Sequence, residues 1–514
     1  MCSVPDIITT DEIRAWDRFT LKQNGWTGTE LMDQAALALA NHWESRHPKG
    51  TRVLICSGMG GNGGDGLAVG RILADRAYKI SVWLSESPDP QSDTGIQLHR
   101  LNEASSVKVI SANQVPDPRE YDTLIDALRG SGTSRPAEGL LKDQIDWINH
   151  SRLPVFSLDL PSGMPGQIPF SQSWTIVRAT ETLCLDPIKL NLLLPESAPW
   201  RGKVTRIPFS LSTHFRPSNT LATINRAPDL AALLPARPRF MHKGTAGHAL
   251  LVAGSGKYPG AAWLCAEACA RAGAGRTTLS STESVWNNRP AHLPEIIKHL
   301  NGTDTPSVVP DVHTYHSVAI GPGIGTASVT ASVFGALLKK ASRTSTPLIL
   351  DADALNILSQ HPKWMGHIPE GSILTPHLLE FDRLTGTHNS SWERLATLQK
   401  LATERGWIVV LKNAFTFMSN AEGELFLTAR GNTALARGGS GDMLTGILAA
   451  IMARGASPEA TARIATWLLG RAAECAAKNY GEEGLLQTEI LQHLPQAFTD
   501  LHVFSGSDEF FGYF

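Results

Sequence analysis

At 514 residues the chain is longer than one hydrophobic core usually supports, so two domains are expected. A net charge of −2, from 46 basic and 48 acidic residues, gives no electrostatic ground for nucleic acid or an anionic membrane as partner. With 42% hydrophobic and 18% charged residues the composition is that of an ordinary globular protein, and no apolar run reaches the length of about 18 residues that suggests a transmembrane helix. The stretch Met1-Cys2-Ser3-Val4-Pro5-Asp6 lacks the basic-then-apolar order of a secretion signal, so the cytoplasm is the expected compartment. The six cysteines, at 2, 56, 184, 265, 269 and 475, form no C-x-x-C pair and read as small, reduced core residues.

In chain order, residues 8–48 read as helical, with Leu31, Met32, Ala35, Ala36 and Leu39 on an apolar face. Strands are expected at 52–56, 79–84, 107–110, 123–126 and 155–158, with helical patterns between most of them, and a last stretch at 181–185 and 202–207. This alternation predicts parallel βαβ units in a doubly wound sheet. Residues 211–245, with Pro217, Pro228, Pro235 and Pro238, read as a linker merging into an entry segment. The alternation then restarts with a strand at 249–253, an Ala-rich helix at 260–272 and further strands at 276–279, 317–320, 348–350, 372–374 and 408–411. The expected organisation is two α/β domains, 1–222 and 223–514, alike in type but not in sequence.

Each half carries a Gly-rich loop tipped with a carboxylate where a strand hands over to a helix. The first is Gly58-Met59-Gly60-Gly61-Asn62-Gly63-Gly64-Asp65-Gly66. Glycines let a ligand approach the backbone, and free N–H groups at a helix start attract anions. The loop fits G-x-G-x-x-G, with Glu86 near the position of a ribose-binding acid, but Asp65 would set a carboxylate beside a pyrophosphate unless a cation intervenes. Three more strand ends bear polar motifs: Asp126-Ala127-Leu128-Arg129-Gly130-Ser131-Gly132, Asp159-Leu160-Pro161-Ser162-Gly163-Met164 and Asp186-Pro187-Ile188-Lys189. Turn formation alone would explain any one of them. Their Asn, Asp and Ser oxygens together suit a hard cation.

GNGGDG, DALRGSGTSRP, DLPSGMPG and the lysine of DPIKL, in this order and spacing, resemble the NAD(P)H-hydrate epimerase domain, the YjeF N-terminal family, over roughly residues 1–220. The resemblance implies a Rossmann-like domain that binds potassium and interconverts the R and S epimers of NAD(P)H hydrated at C6 of the nicotinamide ring. Matched by position, Asn62, Asp126 and Ser162 would hold the potassium ion. Gly61, Asn62, Gly63, Gly64 and Asp65, the loop Gly130, Ser131, Gly132, Thr133, Ser134, Arg135 and Pro136, and Asp159 would contact substrate. Asp159 and Lys189 would be catalytic. Two departures stand out: Gly61-Asn62 replaces the family's usual pair of asparagines, and Arg129 stands where an aromatic residue is common.

The second loop, Gly438-Gly439-Ser440-Gly441-Asp442, opens the apolar helix that follows. Its N–H groups suit the charge of a transferred phosphoryl group while Asp442 deprotonates a hydroxyl. An ordinary Gly-rich turn is the plain alternative, but Gly321-Pro322-Gly323-Ile324-Gly325, Asp351-Ala352-Asp353, Thr375-Pro376-His377 and Lys412 also end expected strands. Gly254-Ser255-Gly256-Lys257 has the wrong length and context for a P-loop.

KGTAGHALLVAGS, PGAAWLCAEACARAGAG, AIGPGIG, LILDADALNIL, ILTPHLLEF, VVLKNAFT and ARGGSGDMLTGILA together resemble the ribokinase-like ADP/ATP-dependent NAD(P)H-hydrate dehydratase, from about 240 to 480. The resemblance implies an α/β/α sandwich that returns the S-hydrate to NAD(P)H. The implied route phosphorylates the C6 hydroxyl and then eliminates phosphate. Asp442 would be the base, and Ala261, Gly323 and His377 would contact the hydrate. Lys412, Asn413, Ala414, Phe415 and Thr416, with Gly438, Gly439, Ser440 and Gly441, would hold the nucleotide. Asn413 replaces the glycine usual after that lysine. Mg²⁺ is expected because phosphoryl transfer needs its charge neutralised, and ADP is favoured over ATP by analogy with bacterial relatives.

Taken together, the two resemblances imply a repair enzyme for damaged NADH and NADPH, with NADHX, NADPHX and ADP as its small-molecule partners. A homo-oligomer is compatible with the sequence. The competing reading is a ribokinase-like vitamin or sugar kinase whose N-terminal half only binds or dimerises. The presence of Asn62, Asp65, Asp126, Asp159 and Lys189 argues against a half that has lost its chemistry.

Overall fold

The computed structural model describes residues 6–103 and 107–503; Cys2 and the rest of the first five residues lie outside the described residues. The chain divides into two compact units, one holding 6–221 and the other the bulk of 222–503. Each is an α/β unit. Among the described residues no helix is long and apolar enough to cross a membrane.

After a two-residue strand β1 (Ile7–Ile8), the expected single helical stretch is two helices, Thr10–Asn24 and Gly28–Glu44. The break is chemical: Gly25 ends the first helix at φ 67°, and Thr27 begins the second by a capping box with Glu30.

The N-terminal sheet comprises β2 (Arg52–Ser57), β3 (Lys79–Leu84), β4 (Lys108–Ile110), β5 (Thr123–Ala127), β6 (Val155–Leu158), β7 (Glu181–Leu185) and β8 (Lys203–Ile207). All its pairings are parallel and the order is β4-β3-β2-β5-β6-β7-β8. The connections change direction between β2 and β5, and ligands of such sheets bind outside the strand C-termini at that switch point. There a Cβ on Gly58 would lie 1.9 Å from the Leu128 carbonyl oxygen, so only glycine lets the two strand-end loops pass this closely.

The C-terminal sheet adds β9 (Thr220–Ile224), β10 (His248–Val252), β11 (Arg276–Ser281), β12 (Ile297–Leu300), β13 (Ser317–Ile320), β14 (Leu348–Leu350), β15 (Ile373–Leu374), β16 (Ile408–Leu411), β17 (Thr416–Ser419) and β18 (Leu425–Thr428). They run in the order β9-β18-β17-β16-β15-β14-β13-β10-β11-β12. Pairing is parallel from β12 to β16, whereas β17 is antiparallel to β16 and β18. The segment expected as a linker thus contains β9, parallel to β18, and a helix at Ala227–Leu233. Pro228 sits in that helix's first turn, where its missing N–H costs nothing, so it starts the element rather than breaking it.

The centre of this unit is the helix Ser440–Ala453, buried continuously from Met443 to Ala453. It lies against the helix Pro259–Arg271, where a Cβ on Gly446 would meet the Cys265 carbonyl oxygen at 2.1 Å. Cys56, Cys184, Cys265, Cys269 and Cys475 are buried free thiols.

Candidate active sites

In the N-terminal unit the strand-end loops enclose a cavity of about 900 Å³. Its wall includes Gly58, Gly60, Gly61, Asn62 and Asp65 from the first loop, Leu128, Arg129, Gly130, Ser131, Gly132, Thr133, Ser134 and Arg135 from the loop after β5, and Asp159, Asp186, Lys189 and Glu86. Pro136, Asp126, Ser162, Gly63 and Gly64 are not part of that wall; Gly63 and Gly64 are buried within the helix Gly61–Asp75.

Asp126, at the end of β5, is fully buried behind the cavity. Its Oδ1 accepts from Ser162 Oγ (2.6 Å), and its Oδ2 accepts from Ser157 Oγ (2.7 Å) and Ser162 N–H (2.8 Å). Burial still pushes its pKa up, against these hydrogen bonds. Ser162 Oγ in turn accepts from the Arg129 N–H (2.8 Å), which ties the loop after β5 to the loop after β6. Asn62 Oδ1 and Nδ2 are buried without a hydrogen-bond partner, and a Cβ on Gly130 would lie 3.2 Å from both Asn62 Cγ and Asp159 Oδ2. Unpaired buried polar atoms are costly unless a ligand or ion satisfies them.

Asp159 is held at φ 64°, strained for a non-glycine residue, where β6 ends. Its Oδ1 pairs with the Lys189 ammonium and its Oδ2 accepts from the Ser131 N–H (3.3 Å). Lys189 also donates to the Leu185 carbonyl (2.9 Å) and is 2% exposed. Burial alone would lower its pKa, but the Asp159 carboxylate outweighs that and holds the lysine above its ordinary range. Two carboxyls face this pair. Burial and the neighbouring carboxylates push Asp65 well above the usual range. Asp17, on the helix Thr10–Asn24, is raised to about 6 by burial, which outweighs the pull of Lys189. Asp17 is a cavity residue that the sequence did not reveal, because nothing beside it marks a site.

In the C-terminal unit Asp442 is half-buried in the first turn of Ser440–Ala453, after Gly439 at φ 101°, a left-handed conformation that favours glycine. Among the described residues the N–H groups of Gly441 and Asp442 find no acceptor, as the first turn of a helix leaves them. Burial, then the nearby Asp351 carboxylate, raises Asp442 to about 6. Asp351, 1% exposed, accepts from Lys412 Nζ (2.7 Å), Thr375 Oγ1 (2.8 Å) and Thr445 Oγ1 (2.9 Å). Its burial would raise it, but Lys412 and the hydroxyls win and hold it below the usual carboxylate range. A Cβ on Gly441 would lie 3.3 Å from both Asp351 Oδ2 and Lys412 Nζ, so the loop rests directly on this ion pair.

Ala261 and Gly323 meet: a Cβ on Gly323 would lie 2.9 Å from the Ala261 Cβ. His377 is the N-cap of the helix Leu378–Thr385, its Nδ1 accepting from the Leu379 and Glu380 N–H groups (3.1 and 3.2 Å). That fixes the proton on Nε2, leaving the outer nitrogen a donor. Burial and the Lys412 charge lower its pKa, so the ring is neutral near pH 7. Lys412 through Thr416 form the turn between β16 and β17, closed by Asn413 Oδ1 accepting from the Ala414 N–H (2.9 Å). Phe415 is 4% exposed, so its side chain is buried. Ser440 Oγ donates to Gln487 (3.1 Å).

Two α/β units, each with polar groups gathered at the C-terminal ends of parallel strands, define a two-site enzyme architecture. The family profile described as YjeF-related protein N-terminus matches residues 28–190, and that described as NAD(P)H-hydrate dehydratase matches 249–496. The bifunctional NAD(P)H-hydrate repair enzyme of Thermosynechococcus vestitus is 32% identical over 510 residues, covering 95% of this chain and 97% of that protein. The enzyme of the same name from Coxiella burnetii is 30% identical, covering 94% and 97%. A Bacillus subtilis ADP/ATP-dependent NAD(P)H-hydrate dehydratase, crystallised with ATP and Mg²⁺, is similar at 29% identity and a TM-score of 0.48, covering 55% of this chain and 99% of that one. The chain belongs to the family of bifunctional NAD(P)H-hydrate repair enzymes.

Proposed function

We propose that residues 1–222 epimerise R- and S-NAD(P)HX and that residues 223–514 dehydrate the S form to NAD(P)H at the expense of ADP, in the cytoplasm. The observation that carries the dehydratase reading is a carboxyl raised to about 6, Asp442, standing in a helix first turn whose N–H groups lack acceptors. Asp442 takes the proton of the C6 hydroxyl as its oxygen attacks the terminal phosphorus of ADP, and AMP departs. The N–H groups of Gly438, Gly439 and Gly441 hold the charge on the phosphoryl group in flight, while that of Ser440 is turned to the Arg437 carbonyl. The C5 proton then passes to water as phosphate leaves C6 with the electrons of the C–O bond, and the ring double bond forms. Ala261 and Gly323, beside Tyr258, contact the hydrate, and the His377 Nε2–H is the donor that orients it. Lys412 and the turn to Thr416 hold the nucleotide. Mg²⁺ supplies neutralising charge when bound with the nucleotide. Asp353, a part-exposed carboxylate close enough to act on Asp442, is a donor of the hard oxygen type it takes, whereas the Asp351 oxygens are occupied by Lys412, Thr375 and Thr445.

In the epimerase cavity the C6–O bond must break and re-form on the other ring face. The departing oxygen needs a proton, and the returning water must lose one. Asp159, fixed on both oxygens, is placed to take the proton of the returning water, Asp17 or Asp65 to give one to the departing oxygen, and Lys189 supplies positive charge beside them. Asp17 and Asp65 are carboxyls raised towards holding a proton near neutrality. Asn62, Asp126 and Ser162 fit a potassium ion, because Asn62 carries unsatisfied buried polar atoms and Asp126 is a buried carboxyl whose ionised form a cation beside it would stabilise. The ion would supply positive charge beside the substrate loop.

The test is incubation of mixed R/S NADHX and NADPHX with ADP or ATP and Mg²⁺, following regenerated NAD(P)H. Regeneration with ADP supports the reading, regeneration with ATP alone would reassign the nucleotide, and regeneration with neither overturns it. Asp442 is a base only when ionised, so the dehydration rate is expected to fall as pH drops through about 6 and to level above it. A flat profile from pH 5 to 8 would remove Asp442 as the titrating base. A Cβ on Gly61 meets nothing within 4 Å. Gly61→Asn, which restores the family's asparagine pair, is therefore expected to change stability by no more than about 0.5 kcal/mol in denaturant titration while lowering the epimerase KM.

A further inference from the structure

A second cavity, about 370 Å³, lies in the C-terminal unit, lined by Arg237, Arg271 and Arg454, by Leu234, Pro495 and Phe498, and by His502. Its size falls within the range of small-molecule pockets. Arg454 caps the C-terminal end of Ser440–Ala453, the helix whose other end carries Asp442, so about 20 Å separates this cavity from that residue.

The charge here is unbalanced. Arg454 is 9% exposed; its Nη groups donate to the Ala272 (3.4 Å) and Pro235 (3.1 Å) carbonyls, and its Nε is buried without a partner. No carboxylate pairs with Arg454 or Arg237 among the described residues, and none lines the cavity. Arg271 is paired with Glu267 at 2.8 Å. A Cβ on Gly273 would lie 2.8 Å from Arg237 Nη1 and 3.8 Å from Arg454 Nη1, so two guanidinium tips converge on one point. Burial, then the Arg237 charge, lowers the Arg454 pKa to about 10, a cost that an anion between the two would relieve. The Phe498 ring, 5.8 Å from the Arg454 guanidinium carbon, supplies a flat apolar wall beside the charge.

We propose that this cavity binds a small organic anion, its phosphate or carboxylate head held between Arg237 and Arg454 and its apolar body against Phe498, Pro495 and Leu234. The full-length protein is titrated calorimetrically with phenyl phosphate, benzoate and uncharged benzyl alcohol. Wild type is expected to bind at least one of the two anions and to bind benzyl alcohol more weakly; the stronger anion identifies the preferred head group. Loss of a charge-assisted hydrogen bond is expected to weaken that binding by about tenfold or more in Arg237→Glu. Arg237 is exposed, so this variant tests the site without the folding burden of Arg454→Met, and its melting temperature confirms the folded state. Neither anion binding, equal affinity in wild type and Arg237→Glu, or benzyl alcohol binding as tightly as the anions would each overturn the proposal.

Discussion

Asp442→Asn is expected to lower NAD(P)H regeneration from pure S-hydrate by about 10²–10⁴-fold, the usual contribution of a positioned general base. The amide keeps the shape of the carboxyl but cannot take the hydroxyl proton. Because Asp442 is half-buried beside Asp351, removing its charge relieves a repulsion, so the fold should not be weakened. Unfolding followed by circular dichroism is expected to show a variant at least as stable as wild type. A rate within a few-fold of wild type would remove Asp442 from the chemistry.

The second large effect is in the other unit. Asp126→Ala deletes a buried carboxylate that accepts from Ser157, Ser162 and the Leu128 N–H. Donors left unsatisfied by such a deletion cost about 1–3 kcal/mol each, so the N-terminal unit is expected to melt earlier. Epimerisation is expected to collapse, because the loops after β5 and β6 are tied through Ser162 and the proposed ion loses its buried charge. Dehydration of pure S-hydrate is expected to persist at a temperature where the C-terminal unit remains folded. Parallel loss of both activities there would contradict two separate sites.

The motifs at strand ends were legible because parallel α/β sheets bind ligands there and because glycines with acids or asparagine at a strand-to-helix junction have few other uses. Asp159, Lys189, Asp442 and Lys412 were singled out that way, and the structure places each beside the other strand-end groups of its unit. Asp17 was not, since it sits on an ordinary amphipathic helix and joins the cavity only through tertiary folding. Asp351 was visible as a strand-end residue, but its bond to Thr445, 94 positions away, was not. In the fold, the parallel core strands were readable as short apolar runs between helical patterns. β9 was missed because its proline-rich surroundings look like a linker and its partner β18 is about 200 residues distant. The β17–β18 hairpin was missed because it departs from the α/β alternation used to find strands.

The central claim, two sites acting in sequence on one substrate, is tested most directly by the extent of conversion of an R/S NADHX mixture with excess ADP and Mg²⁺. The measurement compares wild type, Asp159→Asn, Asp442→Asn and an equimolar mixture of the two variants. Asparagine tolerates the left-handed backbone at 159, but the change leaves the buried Lys189 ammonium without its carboxylate, so the comparison is made at a temperature where the melting curve shows this variant folded. Wild type is predicted to convert both epimers. Asp159→Asn should consume the S fraction and then slow to the spontaneous epimerisation rate, Asp442→Asn should regenerate almost nothing, and the mixture should restore full conversion. Complete conversion by Asp159→Asn at the wild-type rate, or a mixture no better than Asp159→Asn alone, would contradict the account.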